Sequence, residues 1–225
     1  LSSGVLTVVT NISLKTGRQD IQFQYRHNSS DTTRINPSVT NIIDIYLVVD
    51  SYYDAYNKYI KDTTNTVVAP SEPSTTELTT LYDTLYDHKM LSDNIILNSV
   101  KFKALFGSKA SDGLQAGISV IKGPNSLISD NEVKSAMVSH INDFFNIKHW
   151  DFGDTFYFSE LSAYLHDQMG DVIGTVVLIP KAANKSFGDL YEIGSASNEI
   201  FVSSVTVDDI KIVDSLTSST LNGTV

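Results

Sequence analysis

The sequence contains no cysteine, so neither a disulfide framework nor thiolate chemistry is available to it. A reducing compartment during folding is compatible with that absence. Positive charge is scarce: 16 Lys and Arg face 26 Asp and Glu, for a formal net charge of −10. An acidic chain with an isoelectric point near 4.8 lacks the basic stripe that phosphate contacts require, which argues against nucleic-acid binding. The same charge argues against an anionic membrane surface. No apolar run approaches the roughly 20 residues that span a bilayer, and no signal peptide is visible. Motifs for chemistry are missing too. There is no phosphate-cradling glycine loop, nucleophile elbow, zinc spacing or calcium loop, and Gly113, Gly117 and Gly123 are too dispersed to hold a phosphate.

What remains is a chain of 225 residues, long enough for one large domain or two small ones. It opens on Leu1 rather than Met and reads as a fragment of a longer protein. Four Asn-x-Ser/Thr sequons, at Asn11, Asn28, Asn184 and Asn222, read as chance matches in a Ser/Thr/Asn-rich sequence.

The richest stretch runs from 129 to 181. Ser129 and Glu132 have the spacing of a capping box. Val133, Ala136, Met137, His140, Ile141, Phe144 and Phe145 then line one helical face, with Asn146 placed to close the helix in a left-handed conformation. Trp150-Asp151-Phe152-Gly153-Asp154 predicts a loop. Ser159 predicts the cap of a second helix, with Phe158 as its staple and Met169-Gly170 as its stop. Residues 172–179 form a β-branched run suited to a strand buried on both faces, ended by Pro180.

Elsewhere, 5–12 and 21–25 read as β segments, 27–40 as a loop and 42–49 as a strand. Asp50-Ser51 offers a cap for a short helix with a tyrosine face, Tyr52, Tyr53, Tyr56 and Tyr59. Ser74 and Glu77 form a second capping box ahead of Leu78, Leu81, Tyr82, Leu85 and Tyr86. A long strand pattern covers 93–106, a turn 107–113 and a strand 114–122; further strands follow at 199–204 and 207–213. The expected fold is α+β: two small tandem β-α-β-type subdomains, at 41–110 and 111–213, with helices packed on sheets, an N-terminal β segment (1–40) and a polar tail (214–225). Crossovers of this length permit parallel pairing, which would then be right-handed.

Each candidate for chemistry has a plainer explanation. His149, Asp151 and Asp154 are close enough to gather a cation, but the two acids sit where turn and cap residues belong. His140 reads as a buried, hydrogen-bonded histidine. His166 and Asp167 are neighbours on a helix and do not face each other. Asp208-Asp209 reads as a solvated turn. The tyrosines at 52–59 read as a core stripe with hydroxyls at its rim rather than a glycan platform. The sequence therefore predicts no catalytic, cofactor-binding or metal-binding residue, no cofactor and no enzyme.

The order of these pieces resembles the baseplate J-like family of contractile phage tail proteins. The matching pieces are the helix at 133–145, the loop Phe152-Gly153-Asp154, the short helix at 159–169, the valine-rich strand at 172–179, and Asn198-Glu199-Ile200-Phe201 before a later strand. The resemblance spans roughly 40–213. It implies a structural wedge subunit in the ring around the tail hub. Such a subunit pairs with itself and contacts other wedge and hub proteins, is assembled in the host cytoplasm and resides in the virion. No nucleic acid, membrane or small-molecule substrate is implied. By position and composition, Trp150, Phe152, Asp154 and Phe156, together with Glu199 and Phe201 in the segment 195–214, are the expected interface residues. Two rivals remain: a surface-exposed binding module, such as an adhesin or glycan-binding domain, and a hydrolase using Asp208 or Asp154.

Overall fold

Both capping boxes form. The hydroxyls of Ser74 and Ser129 accept from the backbone N–H of Glu77 and Glu132, whose carboxylates accept in return from the serine N–H groups at 2.8 and 3.0 Å. A computed structural model describes residues 5–6, 21–22, 42–83, 94–124, 126–181, 187–189 and 191–216. The expected loop at 27–40, the helical positions Leu85 and Tyr86, and the tail from 217 lie outside them.

The fold is α+β. In chain order it has β1 (Val5–Leu6), β2 (Ile21–Gln22), β3 (Ile42–Leu47), α1 (Asp50–Ile60), α2 (Thr75–Leu81), β4 (Asn94–Ser99), β5 (Lys101–Leu105), β6 (Ala116–Lys122), α3 (Asp130–Phe144), β7 (Thr155–Tyr157), α4 (Phe158–Met169), β8 (Ile173–Pro180), β9 (Glu192–Gly194), β10 (Glu199–Ser203) and β11 (Ile210–Ile212). No helix among the described residues is long and apolar enough to cross a membrane.

Contacts divide the chain into two units, one of Leu1–Leu47 with Pro73–Ser99, the other of Val48–Glu72 with Val100–Val225. The break falls at 99/100 rather than between 110 and 111, because the expected long strand changes sheets at the buried Val100. In the first unit β3 and β4 pair in parallel, Ile45 opposite Leu97, and Leu78 of α2 is buried with Ile95 and Leu97. Leu81, expected on the apolar face of that helix, is 63% exposed. In the second unit β5 pairs in parallel with β10, and a three-stranded sheet runs in the order β11-β6-β8. β6 is parallel to β11 but antiparallel to β8, with Ile118 opposite Leu178. The crossover from β6 to β8 carries two helices. Each reverses the chain, so β8 enters from the end opposite to that which a single-helix crossover would give.

Several local expectations change in three dimensions. Helix α1 is preceded by Val49 without a side-chain cap, so Asp50 and Ser51 lie inside it. Helix α4 likewise begins at Phe158, with Tyr157 ahead of it and no side-chain cap, so Ser159 is not its cap. Asn146 does not close α3 through a left-handed backbone; its side-chain oxygen accepts from Lys148 N–H at 3.0 Å. Gly170 does end α4 with a positive φ of 51°. Residues 207–209 form a 3-10 turn before β11, where a continuous strand was expected.

The second core is filled by Val133, Met137 and Ile141 from α3, Leu161 and Leu165 from α4, and Ile118, Val120, Val176 and Leu178 from the sheet. Gly107 lets the end of β5 lie against the chain leaving β10. A Cβ there would stand 1.9 Å from the Ser204 carbonyl oxygen.

Candidate functional site

The loop after α3 folds back on its own helix. The Trp150 indole N–H donates to the Phe144 carbonyl at 2.8 Å, satisfying a helix-end acceptor. The Trp150 ring stacks on Phe145, with centroids 5.5 Å apart and planes 6° from parallel. Phe156 and Phe201 close around the same ring at 6.2 and 5.1 Å. Asp154 accepts from the Asp151 N–H at 2.6 Å, and Gly153 supplies a positive φ of 77° between them.

This geometry corrects the expected interface. Trp150, Phe156 and Phe201 are 7%, 0% and 0% exposed and belong to the core. Aromatic area of that size gains more from a dry interior than from waiting for a partner, so these rings are not surface anchors. Phe152 and Asp154 are half-buried. Glu199 is half-buried too and pairs with Lys103 at 3.4 Å across the β5–β10 ladder. What these residues leave at the surface is a cleft of about 460 Å³ lined by Phe144, His149, Trp150, Asp154, Thr155, Glu160 and Tyr164. Rings form part of its wall, with Phe144 5.6 Å from Trp150 and 5.3 Å from Tyr164. Burial, and then the carboxylates of Asp143 and Asp167, push the Tyr164 phenol above its usual pKa. The His149 Nδ1 lies 3.1 Å from the Asp143 carbonyl oxygen.

Of the residues weighed for chemistry, His149 and Asp154 meet in the lining of this cleft. Among the described residues, no group of three or more His, Asp or Glu side chains gathers to hold a metal ion. His140 is half-buried rather than enclosed. The Nδ1 and Nε2 atoms of His166 approach the carbonyls of Ser162 and Gly174. Asp208 is exposed as expected, but Asp209 is 7% exposed. It accepts from the N–H and hydroxyl of Thr206 at 2.8 Å each and pairs with Lys181 at 2.5 Å. It is therefore the anchor of a turn rather than part of a solvated acid pair.

Comparison with protein-family models and with curated proteins gives no match.

The tyrosines at 52–59 pack as a stripe around Phe102 of β5. Tyr52, Tyr53 and Tyr56 lie 5.2, 5.6 and 4.9 Å from its ring. Burial drives the Tyr56 phenol up to about pKa 12, with smaller contributions from Tyr52 and Tyr59. Sequence reasoning missed the cleft because Glu160, Thr155 and Tyr164 carry no local signal. They meet Phe144 and Trp150 only when α3 and α4 pack together.

Proposed function

We propose that this chain is a structural subunit of a contractile phage tail baseplate, of the wedge or inner-ring kind, similar to the C-terminal part of the T-even ring subunit. The observation that carries the reading is an order of elements. Helix α3, the Phe152-Gly153 loop, the short helix α4, the valine-rich β8 and the Glu199-Ile200 strand β10 follow one another within one unit. The subunit pairs with itself in a ring around the hub, and holds neighbouring wedge and hub proteins for assembly and contraction. It acts mechanically, without catalysis, cofactor, nucleic acid, membrane or small-molecule substrate. It works in the virion after assembly in the host cytoplasm.

The test is the solution mass of the chain by light scattering across a concentration series. A stable or concentration-dependent dimer is expected. A monomer at every concentration overturns self-pairing.

A second reading has one observation in its favour. The ring-walled cleft at Phe144, Trp150 and Tyr164 suits a non-catalytic binding module such as an adhesin or glycan-binding domain. Four α-helices among the described residues make it a poor match for the β-sandwich usual in such modules. A glycan-array screen separates the two: saturable binding abolished by Tyr164→Ala would favour this rival.

A further inference from the structure

We infer that the cleft beside α3 and α4 is a docking site for an arginine side chain presented by a partner protein. The inference rests on the reading of this chain as a scaffold that holds its neighbours, and it names the chemistry of one such contact.

Charge around the cleft selects a cation. Asp154 and Glu160 bring carboxylates to its lining, and no Lys or Arg is among the lining residues. Lys148 is exposed next to His149 in the chain but is not part of the wall. The ion pairs among the described residues are Lys103–Glu199, Lys122–Asp130 and Lys181–Asp209, so none of them neutralises Asp154 or Glu160. The Asp151 N–H holds Asp154 at 2.6 Å, while Glu160 stands exposed in the first turn of α4. Asp143 and Asp167 add negative charge close enough to act on the Tyr164 phenol. A neutral or anionic occupant would strip water from these carboxylates without replacing it, whereas a cation compensates the loss.

The rings select which cation. Trp150 is 7% exposed and has one face against Phe145, so it walls the cleft and offers little open surface. Phe144 and Tyr164 are half-buried, with centroids 5.3 Å apart, and present the accessible ring surface. Glu160 and Tyr164 are four residues apart on one face of α4, so a carboxylate stands one helical turn from a phenol ring. A planar cation can lie on the ring and direct its N–H donors at the acid. A guanidinium does this: it is weakly hydrated, stacks on aromatic faces and presents a fork of donors. A lysine ammonium is a strongly hydrated point charge and gains less from this lining. A glycan would use the rings but leave both carboxylates uncompensated. The cleft, at about 460 Å³, has room for an arginine side chain with part of its backbone.

Trp150 is the single tryptophan of the chain and lines the cleft, so its fluorescence reads this site. Titration with the peptide acetyl-Gly-Arg-Gly-amide should give a saturable change. The same peptide with citrulline, which keeps the shape and loses the charge, should bind about tenfold more weakly, and the lysine peptide about threefold more weakly. Glu160→Gln and Asp154→Asn each remove a charge and keep a side-chain oxygen, and each should weaken the arginine peptide about threefold or more. Asp54→Asn, exposed on α1 and outside the lining, should leave it unchanged. Circular dichroism and thermal melting check folding, and Glu160→Gln decides alone if Asp154→Asn does not fold. Equal binding of the arginine peptide and either substitute overturns the inference, as does binding that neither carboxylate variant weakens. Preference for a neutral disaccharide such as lactose overturns it in favour of the glycan-binding reading. Binding of no peptide overturns this contact, while the light-scattering series tests the scaffold reading separately.

Discussion

Two aromatic clusters flank one pair of strands in the second unit and differ in one atom type. Around Phe201 of β10, the rings of Phe145, Trp150, Phe156, Phe106 and Phe187 pack with no phenol among them, and all are buried. Around Phe102 of β5, the rings are tyrosines, and Tyr53, Tyr56 and Tyr59 remain half-exposed. The first cluster excludes water; the second keeps hydroxyls at its rim and buries ring faces beneath them. The tyrosines of the second cluster are neighbours in sequence, whereas the rings of the first come from positions 106 to 201 and meet only in the fold. Every named ring of the first cluster is buried, whereas among the tyrosines of the second only Tyr52 is.

The contrast is sharpest if a ring is removed. Phe156→Ala should cost about 3–5 kcal/mol, because the site is fully enclosed and has little freedom to collapse. The shift in urea midpoint measures it, and a loss below about 1 kcal/mol would break the comparison. Next comes adding a hydroxyl to the dry cluster. Phe145→Tyr should destabilise by roughly 1–3 kcal/mol, since a phenol there enters a packed, apolar site. The reverse change in the wet cluster should do much less. Tyr56→Phe removes only a long 3.5 Å hydrogen bond to the Phe102 carbonyl and should shift stability by less than about 1 kcal/mol.

The last contrast is read by alkaline titration. The Tyr56 phenol is raised from 10.0 to about 12 by burial, so the folded state holds its proton more tightly than the unfolded chain. Its contribution is complete below pH 10 and is lost as pH rises through about 12. Ultraviolet difference spectra should show a tyrosine that ionises near pH 12 and is lost in Tyr56→Phe, and an unchanged titration in that variant would contradict the assignment.

Much of this architecture is legible in the residues because its signals are local. Capping boxes at Ser74 and Ser129, the glycine stop at Gly170 and the β-branched run before Pro180 each act within a few residues and appear where the spacing puts them. Direction and depth are not local. The antiparallel pairing of β6 with β8 depends on how two helices turn, and the burial of Trp150 depends on Phe201, far along the chain. Asp209 looks like half of an exposed acid pair until Lys181 reaches it across 28 positions. The cleft is harder still to foresee, since its residues share no motif and meet only through packing.

The pairing of β5 with β10 joins Lys101 to Glu199, and β6 receives β11 through Ile118 and Ile210. Two strands made early thus wait for partners made nearly a hundred residues later. During synthesis at about 5–20 residues per second, that is a delay of several seconds or more with strand edges unpaired. The nascent chain would need shielding in that interval, and a ribosome stalled before residue 199 should leave the second unit sensitive to protease while one stalled well beyond 212 should not.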